Sequence, residues 1–148
     1  MSDPKVKAWN PDELLVDVFG SIIEGFAEGS LLTIKDESPR IMSVVGTTGE
    51  IAVSRTADKR TNVTLRLLQT SNSNDVLAAQ DALADFTPGL AGWGPINIRD
   101  LNGRSLYEGK AIIAERPEAG FNRTAESREW KLLCVFTKRF DGGSNQVA

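Results

Sequence analysis

Apolar residues recur at every second position through most of the chain, and this period-two pattern predicts strands. Leu14, Val16 and Val18 alternate with Leu15 and Asp17, Phe19-Gly20-Ser21 offers a reversal, and Ile22-Ile23-Glu24 follows, the pattern of a glycine-turned hairpin. Gly25 and Gly29 flank a second short turn, and Leu31–Lys35 forms a third strand. Strands this close in sequence favour an antiparallel meander. Further on, Val63, Leu65 and Leu67 share one face of a strand over Val63–Gln69, Ile96 and Ile98 alternate in a short strand, and Leu106–Ala114 makes a longer one. Glu129–Thr137 alternates strictly, with Trp130, Leu132, Cys134 and Phe136 on one side. Its other side keeps Leu133 and Val135, and a strand with two half-apolar faces calls for a second covering surface.

The period changes once. Ser71–Asp75 is rich in helix-capping side chains, and Val76, Ala79, Leu83 and Phe86 follow at helical spacing. Thr87-Pro88-Gly89 ends that helix. The whole predicts a mainly β chain: a two-sheet sandwich or barrel-like domain with one flanking α-helix and a long extended arm. Residues 1–148 read as a single domain, with 1–11 a flexible N-terminal arm and 141–148 a flexible C-terminal tail.

The arm is the stretch 36–61, far longer than the roughly 4–6 residues that usually join neighbouring elements. It is not a polar tether, because Ile41, Met42, Val44, Val45, Ile51 and Val53 run through it. Gly46 and Gly49 bracket Thr47-Thr48, where a reversal is easiest. Arg40–Val45 therefore goes out and Glu50–Arg55 comes back. A lone two-stranded arm is marginally stable in water and must lie on something, its own domain or another molecule.

Composition narrows the function classes. A net charge of −3, with the doublets Lys59-Arg60 and Lys138-Arg139 the only clustered cations, gives no track for a phosphate backbone, and solvated surface is the expected role of both doublets. No apolar run resembles a signal peptide or a membrane helix, so folding in a reducing cytoplasm is expected. Histidine is absent, which removes the commonest general base and metal ligand. The single cysteine, Cys134, sits on an apolar strand face and reads as a core thiol.

Candidate chemistry is sparse. Asp17 and Glu24 face each other across the first hairpin, but acid–base work needs one of them buried, and solvated hairpin charges are the plainer reading. Asp100-Leu101-Asn102-Gly103 lacks the spaced ligands and closing glutamate of a calcium loop and reads as a turn. Gly89, Gly92 and Gly94 around Trp93 lack the strand-to-helix context of a phosphate cradle, which leaves Trp93 as an anchor. No catalytic residue, metal site or cofactor is expected.

Taken in order, these features resemble the tail tube proteins of contractile-tailed bacteriophages. The matching points are Gly20 and Gly25-Phe26 in the opening hairpin, Val45-Gly46-Thr47-Thr48-Gly49-Glu50 in the arm, and Asp58 before Val63-Thr64-Leu65-Arg66-Leu67. They continue with Thr70–Asn74 ahead of the helix, Ile96-Asn97-Ile98-Arg99-Asp100 with Gly103, then Arg116-Pro117-Glu118 and Glu129-Trp130. The resemblance spans roughly Asp12 to Gly143. It implies a β-barrel-like sandwich, six copies closing into a ring, and rings stacking into a hollow virion tube through which DNA passes without specific binding. It also implies an arm (Arg40, Ile41, Met42, Val44, Val45, Gly46, Thr47, Thr48, Gly49, Glu50, Ile51, Val53, Arg55) that reaches the adjacent ring, and an outer wall that meets the contractile sheath. Sheath, tape measure, baseplate and tail terminator proteins are the implied partners, with no membrane. The Hcp-type tube proteins of type VI secretion and the tailocins share this architecture and stand as the alternative within the class. Two other readings compete: a small β-barrel holding an apolar ligand near Trp130, and a hydrolase using Asp17 and Glu24.

Overall fold

The computed structural model describes residues 7–8, 14–27, 29, 31–86, 92–101, 103–143 and 146–147. The strands are β1 (Lys7–Ala8), β2 (Leu14–Val18), β3 (Ser21–Ile22), β4 (Leu32–Asp36), β5 (Ile41–Val45), β6 (Ile51–Arg55) and β7 (Arg60–Leu68). The helix α1 (Ser73–Phe86) comes next, and β8 (Gly94–Asp100), β9 (Leu106–Glu115), β10 (Ser127–Phe140) and β11 (Gln146–Val147) complete the order. Seven of the strands form one antiparallel sheet in the order β3-β2-β8-β9-β10-β7-β4. β5 and β6 pair only with each other.

The sheet is rolled, and chain length shows why. Laid flat, β3 and β7 would stand five strand spacings apart, about 24 Å. Yet Phe26 follows Ile22 by four residues, a reach of about 14 Å, and it bridges Leu67 on β7. The Ala27 amide donates to the Arg66 carbonyl at 2.9 Å, and the Leu68 amide to the Gly25 carbonyl at 2.8 Å. Only a sheet curled into two facing walls lets one edge strand run directly into the opposite edge. Irregularities that bend a strand fall on β10, whose register against β9 shifts at Lys131/Leu132 and at Phe136/Lys138. Gly109 sits inside the second bend, where a Cβ would stand 2.1 Å from the Val135 carbonyl oxygen.

Both walls point their alternate residues into one core. Val16 and Val18, Val63, Leu65 and Leu67, Ile96 and Ile98, and Leu132 and Cys134 are all at most 2 % exposed and form one cluster with Trp130 and Tyr107. The face expected for Trp130, Leu132, Cys134 and Phe136 is the inward one. Side chains fill the space between the walls, which argues for packing as the role of Trp130.

The opening hairpin turns through Phe19 and Gly20, both at positive φ (56° and 83°), the geometry that suits a two-residue turn. Its register corrects one expectation. Asp17 stands opposite Ile22 and Asn97, while Glu24 lies beyond the end of β3, so the two carboxylates do not face each other. The turn through Phe19 and Gly20 sets the register, Val18 opposite Ser21 and Asp17 opposite Ile22, so a continued ladder would bring Glu24 opposite Leu15 and not Asp17.

The helix needs a second correction. It buries Ser73, Asn74 and Leu77 and half-buries Gln80 and Ala84, whereas Ala79 is exposed and Leu83 is 48 % exposed. Two stripes at helical spacing coexist on α1, and polar contacts decided between them. Asn74 donates from Nδ2 to the Leu68 and Ser71 carbonyls at 2.9 and 3.0 Å, and its Oδ1 accepts the Trp130 indole N–H at 2.9 Å. Ser73 Oγ accepts the Glu24 amide at 2.9 Å, and Ser71 Oγ donates to the Glu24 carbonyl at 2.6 Å. These bonds pin the first turn of α1 to the end of β7 and rotate the Leu77 side inward. Gly92 lies against the helix's far half, with no room for a Cβ beside Ala84 (2.6 Å), and its carbonyl accepts the Gln80 amide.

Trp93 is half-buried beside that contact, while Thr87, Pro88 and Gly89 lie outside the described residues. The turn after β8 closes with the Gly103 amide donating to the Asp100 carbonyl at 3.2 Å; Asn102 lies outside the described residues. Of the terminal segments, Lys7–Ala8 pair antiparallel with Gln146–Val147, and Asp141–Gly143 are described; the rest of 1–11 and of 141–148 lies outside the described residues.

Two measurements check this account of the core. Asn74→Ala leaves a buried indole N–H and two carbonyls without that partner, so urea unfolding should show a loss of about 2–4 kcal/mol, with far less for Asn72→Ala. Burial pushes the Cys134 thiol up to about 12, so at pH 8 a thiol reagent should label the native protein only as fast as it unfolds.

Candidate functional site: an exposed two-stranded arm

Among the described residues, β5 and β6 leave the rolled sheet as a ladder with no neighbouring strand on either side. The register runs Ile41↔Arg55, Met42↔Ser54, Ser43↔Val53, Val44↔Ala52 and Val45↔Ile51. Thr56 prolongs it, its amide donating to the Arg40 carbonyl at 2.9 Å. At the tip the Gly46 amide donates to the Glu50 carbonyl at 2.7 Å, and the Gly49 amide to the Gly46 carbonyl at 3.1 Å. Only Gly49 of the two tip glycines takes positive φ (88°). The expected outward and returning strands are therefore present within a residue of their expected ends.

Every residue from Ile41 to Arg55 is exposed. Because side chains alternate, Ile41, Val45, Ile51 and Val53 share one face, while Met42, Val44 and Ala52 share the other. Both faces carry apolar side chains, and among the described residues neither is covered by the chain's own walls. Ile41, Met42, Val44, Val45, Ile51 and Val53 are 56–69 % exposed. Covering the bare part of one such side chain is worth roughly 1–2 kcal/mol, so covering all of them yields on the order of 10 kcal/mol before the entropy of association.

The arm's root is held by charge. Asp58 accepts from Arg60 twice, Nε to Oδ1 at 3.0 Å and Nη2 to Oδ2 at 2.9 Å, and also takes the Arg60 amide (3.0 Å) and the Ser38 hydroxyl (2.7 Å). The forked Arg60 guanidinium, then its amide and Ser38, hold the Asp58 carboxyl well below the usual carboxylate range. Beside this clasp, Arg139 pairs with both Asp36 and Asp141, and Tyr107 donates to Asp141. Burial and that carboxylate push the Tyr107 phenol up to about 12. The doublets expected on solvated surface thus supply Arg60 and Arg139 to the arm's root. Sequence reasoning missed this clasp; its one signal was Asp58 two residues before Arg60, the spacing of an aspartate that takes a backbone amide in a turn.

Between root and β10 lies an open cleft of about 580 Å³, lined among others by Arg40, Arg55, Lys59, Phe136 and Arg139. On the outer side of β10, Leu133 is half-buried and Val135 is 36 % exposed, set opposite Asn62 and Arg60 on β7. Cys134 is buried in the core. Among the described residues, no group of three or more Asp, Glu or Cys is placed to hold a metal ion, and no helix is long and apolar enough to cross a membrane. The geometry offers surfaces for contact.

The profile of the family described as bacteriophage PhiTE tail tube protein matches residues 21–141, arm and both walls included. This chain belongs to that family. It is a phage tail tube protein and a structural component of the virion. Among curated proteins, the tail tube protein is similar to "Structural protein ORF10" of Pseudomonas phage KPP10, 29 % identical over 127 residues, covering 85 % of this chain and 73 % of the relative. Among solved structures it is similar in fold to a chain of the virion of a native gene transfer agent particle. That match has a TM-score of 0.58 at 12 % identity and covers 95 % of this chain and 99 % of the other.

The clasp at the tail tube protein's arm root carries a pH signature. A carboxylate whose folded pKa is depressed adds stability above its unfolded value, about 3.9, and loses it as pH falls through the folded one. Amide exchange at Arg60 and Thr56 should therefore be unchanged from pH 7 to 5 apart from the intrinsic rate, and protection should fade only in strong acid. In Asp58→Asn the protection should be weak throughout.

Proposed function

We propose that the chain is the repeating subunit of the inner tube of a contractile phage tail. Six copies close into a ring, rings stack into a hollow tube, and the tube is the conduit for DNA; the chain performs no catalysis. The observation that carries this reading is the arm: an ordered hairpin, apolar on both faces, that its own domain leaves bare. A head-to-tail contact repeated around a cycle closes into a ring, and repeated along an axis it builds a tube. The arm of each subunit reaches the adjacent ring through Arg40, Ile41, Met42, Val44, Val45, Gly46, Thr47, Thr48, Gly49, Glu50, Ile51, Val53 and Arg55. Leu133 and Val135 on the outer face of β10 supply further apolar contact. The net charge of −3 suits a passage through which DNA slides, since phosphate-binding cations are what would hold it.

Sheath, tape measure, baseplate and tail terminator proteins are the partners this role requires. A secretion-type or tailocin tube would use the same subunit architecture, and the family match to a phage tail tube favours the virion.

Concentrated protein should form rings or stacked tubes of uniform width by negative-stain microscopy. Deleting residues 40–55 should leave folded subunits or rings and abolish tube growth. Tubes of unchanged length in that variant would remove the arm from the mechanism, and a clean monomer of the full chain at high concentration would count against the tube itself.

A further inference from the structure

Directly opposed residues of a ladder share a face, so Ile41, Val45, Ile51 and Val53 lie on one side of the arm and Met42, Val44 and Ala52 on the other. The six larger side chains are 56–69 % exposed, which leaves on the order of 100 Å² bare on each. Covering the first set alone buries about 800–900 Å² of apolar contact counting both partners, short of the roughly 1,200 Å² at which stable specific interfaces begin. The second set alone supplies less. Both together reach about 1,400–1,500 Å², which falls in the standard range. A single copy offers no slot for both sides at once. A ladder of five residue pairs is about 17 Å long and about 10 Å wide and thick, a body of roughly 1,700 Å³. The cleft beside the arm's own root holds about 580 Å³. The hollow between α1 and Trp130 holds about 430 Å³, and its lining is already tied by Arg116 to Asp81 and Asp85. Neither can take in the ribbon.

Resting on the tube reading above, we propose that each arm is clamped in a seam between two further copies of this chain, one copy covering each face. A head-to-tail ring has as many seams as subunits, so arms and seams are equal in number. Every arm is covered and every seam filled, except at the two ends of the tube. A lone subunit lacks the acceptor. The slot forms only when two neighbours stand side by side, so ring closure precedes stacking and a partial ring gives an incoming arm half a site. The contacts at Asp58 and Thr56 deliver the ribbon pre-formed, which lowers the ordering cost of its entry.

Charging one face at a time tests the clamp. Val53→Glu alters the first face and Val44→Glu the second, both at exposed positions outside the core, so native circular dichroism should persist. Each should cut the mass of assembled tube about tenfold or more and leave rings in place. Normal growth with either one marks a face that stays wet, and overturns the clamp. A cross-link then counts the acceptors. Subunits bearing both Val44→Cys and Val53→Cys are labelled while dispersed with a photoreactive benzophenone maleimide, Cys134 being buried. A small fraction of them is assembled with unlabelled protein and illuminated. The labelled chain should join two unlabelled chains, giving a trimer on a denaturing gel at the yield set by the dimers of the two single-cysteine variants. Dimer alone places both faces on one copy and overturns the clamp. If deleting residues 40–55 leaves tubes intact, the tube reading of the arm fails and the clamp with it. If that deletion stops growth while only one face responds or no trimer forms, the arm stands and the clamp alone fails.

Discussion

A two-stranded ladder cannot hide two apolar faces by itself, and this chain keeps such a ladder outside its own core. The seven-stranded sheet is already closed: one edge strand runs into the other, and the interior is filled by Val, Leu and Ile from both walls with Leu77 of the helix. No inward-facing place remains for Ile41, Met42, Val44 or their partners. In the tube proposed above, a sibling subunit is what would cover them. The fold and the assembly are thus two solutions of one problem. The walls bury what one chain can bury, and the arm is what is left over.

Rigidity at the root makes that remainder useful. A hairpin on a loose hinge would lose much of its binding free energy to ordering. Here the Asp58–Arg60 fork, the Ser38 hydroxyl and the Thr56–Arg40 ladder bond fix where the arm leaves the barrel. The Arg139 pairs with Asp36 and Asp141 brace the adjoining strand ends. At the opposite end, Asn74 and Ser73 fix the helix by hydrogen bonds to β10, to the end of β7 and to the strand-to-strand crossing. Both ends of the subunit are therefore set by short polar contacts at fixed geometry, which a repeating assembly needs if small errors are not to accumulate from copy to copy.

Much of this was legible in the sequence because strand periodicity is robust where one face is fully buried. Val63, Leu65 and Leu67, and Trp130, Leu132 and Cys134, fall inward as the alternation requires, and the arm's ends and turn follow from its two glycines and the apolar residues flanking them. The helix face was misread for a physical reason: Val76, Ala79 and Leu83 and the inward-facing Ser73, Leu77, Gln80 and Ala84 both have helical spacing. The choice between them lies in Asn74, whose bond to Trp130 spans 56 positions. The Asp17–Glu24 pairing failed because the turn falls on Phe19 and Gly20, which sets Asp17 opposite Ile22. Of the clasp at Asp58 only the Arg60 half is local in sequence; Ser38 lies on the other side of the arm and meets Asp58 only once the arm is folded.

Hydrogen exchange on residues 41–55, compared between dispersed subunits and assembled particles, tests the central claim most directly. An arm whose partner is another copy should exchange quickly when dispersed, as a solvent-exposed ladder does, and become protected about a hundredfold or more on assembly, while Val63–Leu67 stays protected in both. Equal protection of the arm in both states, or none in either, would contradict the account.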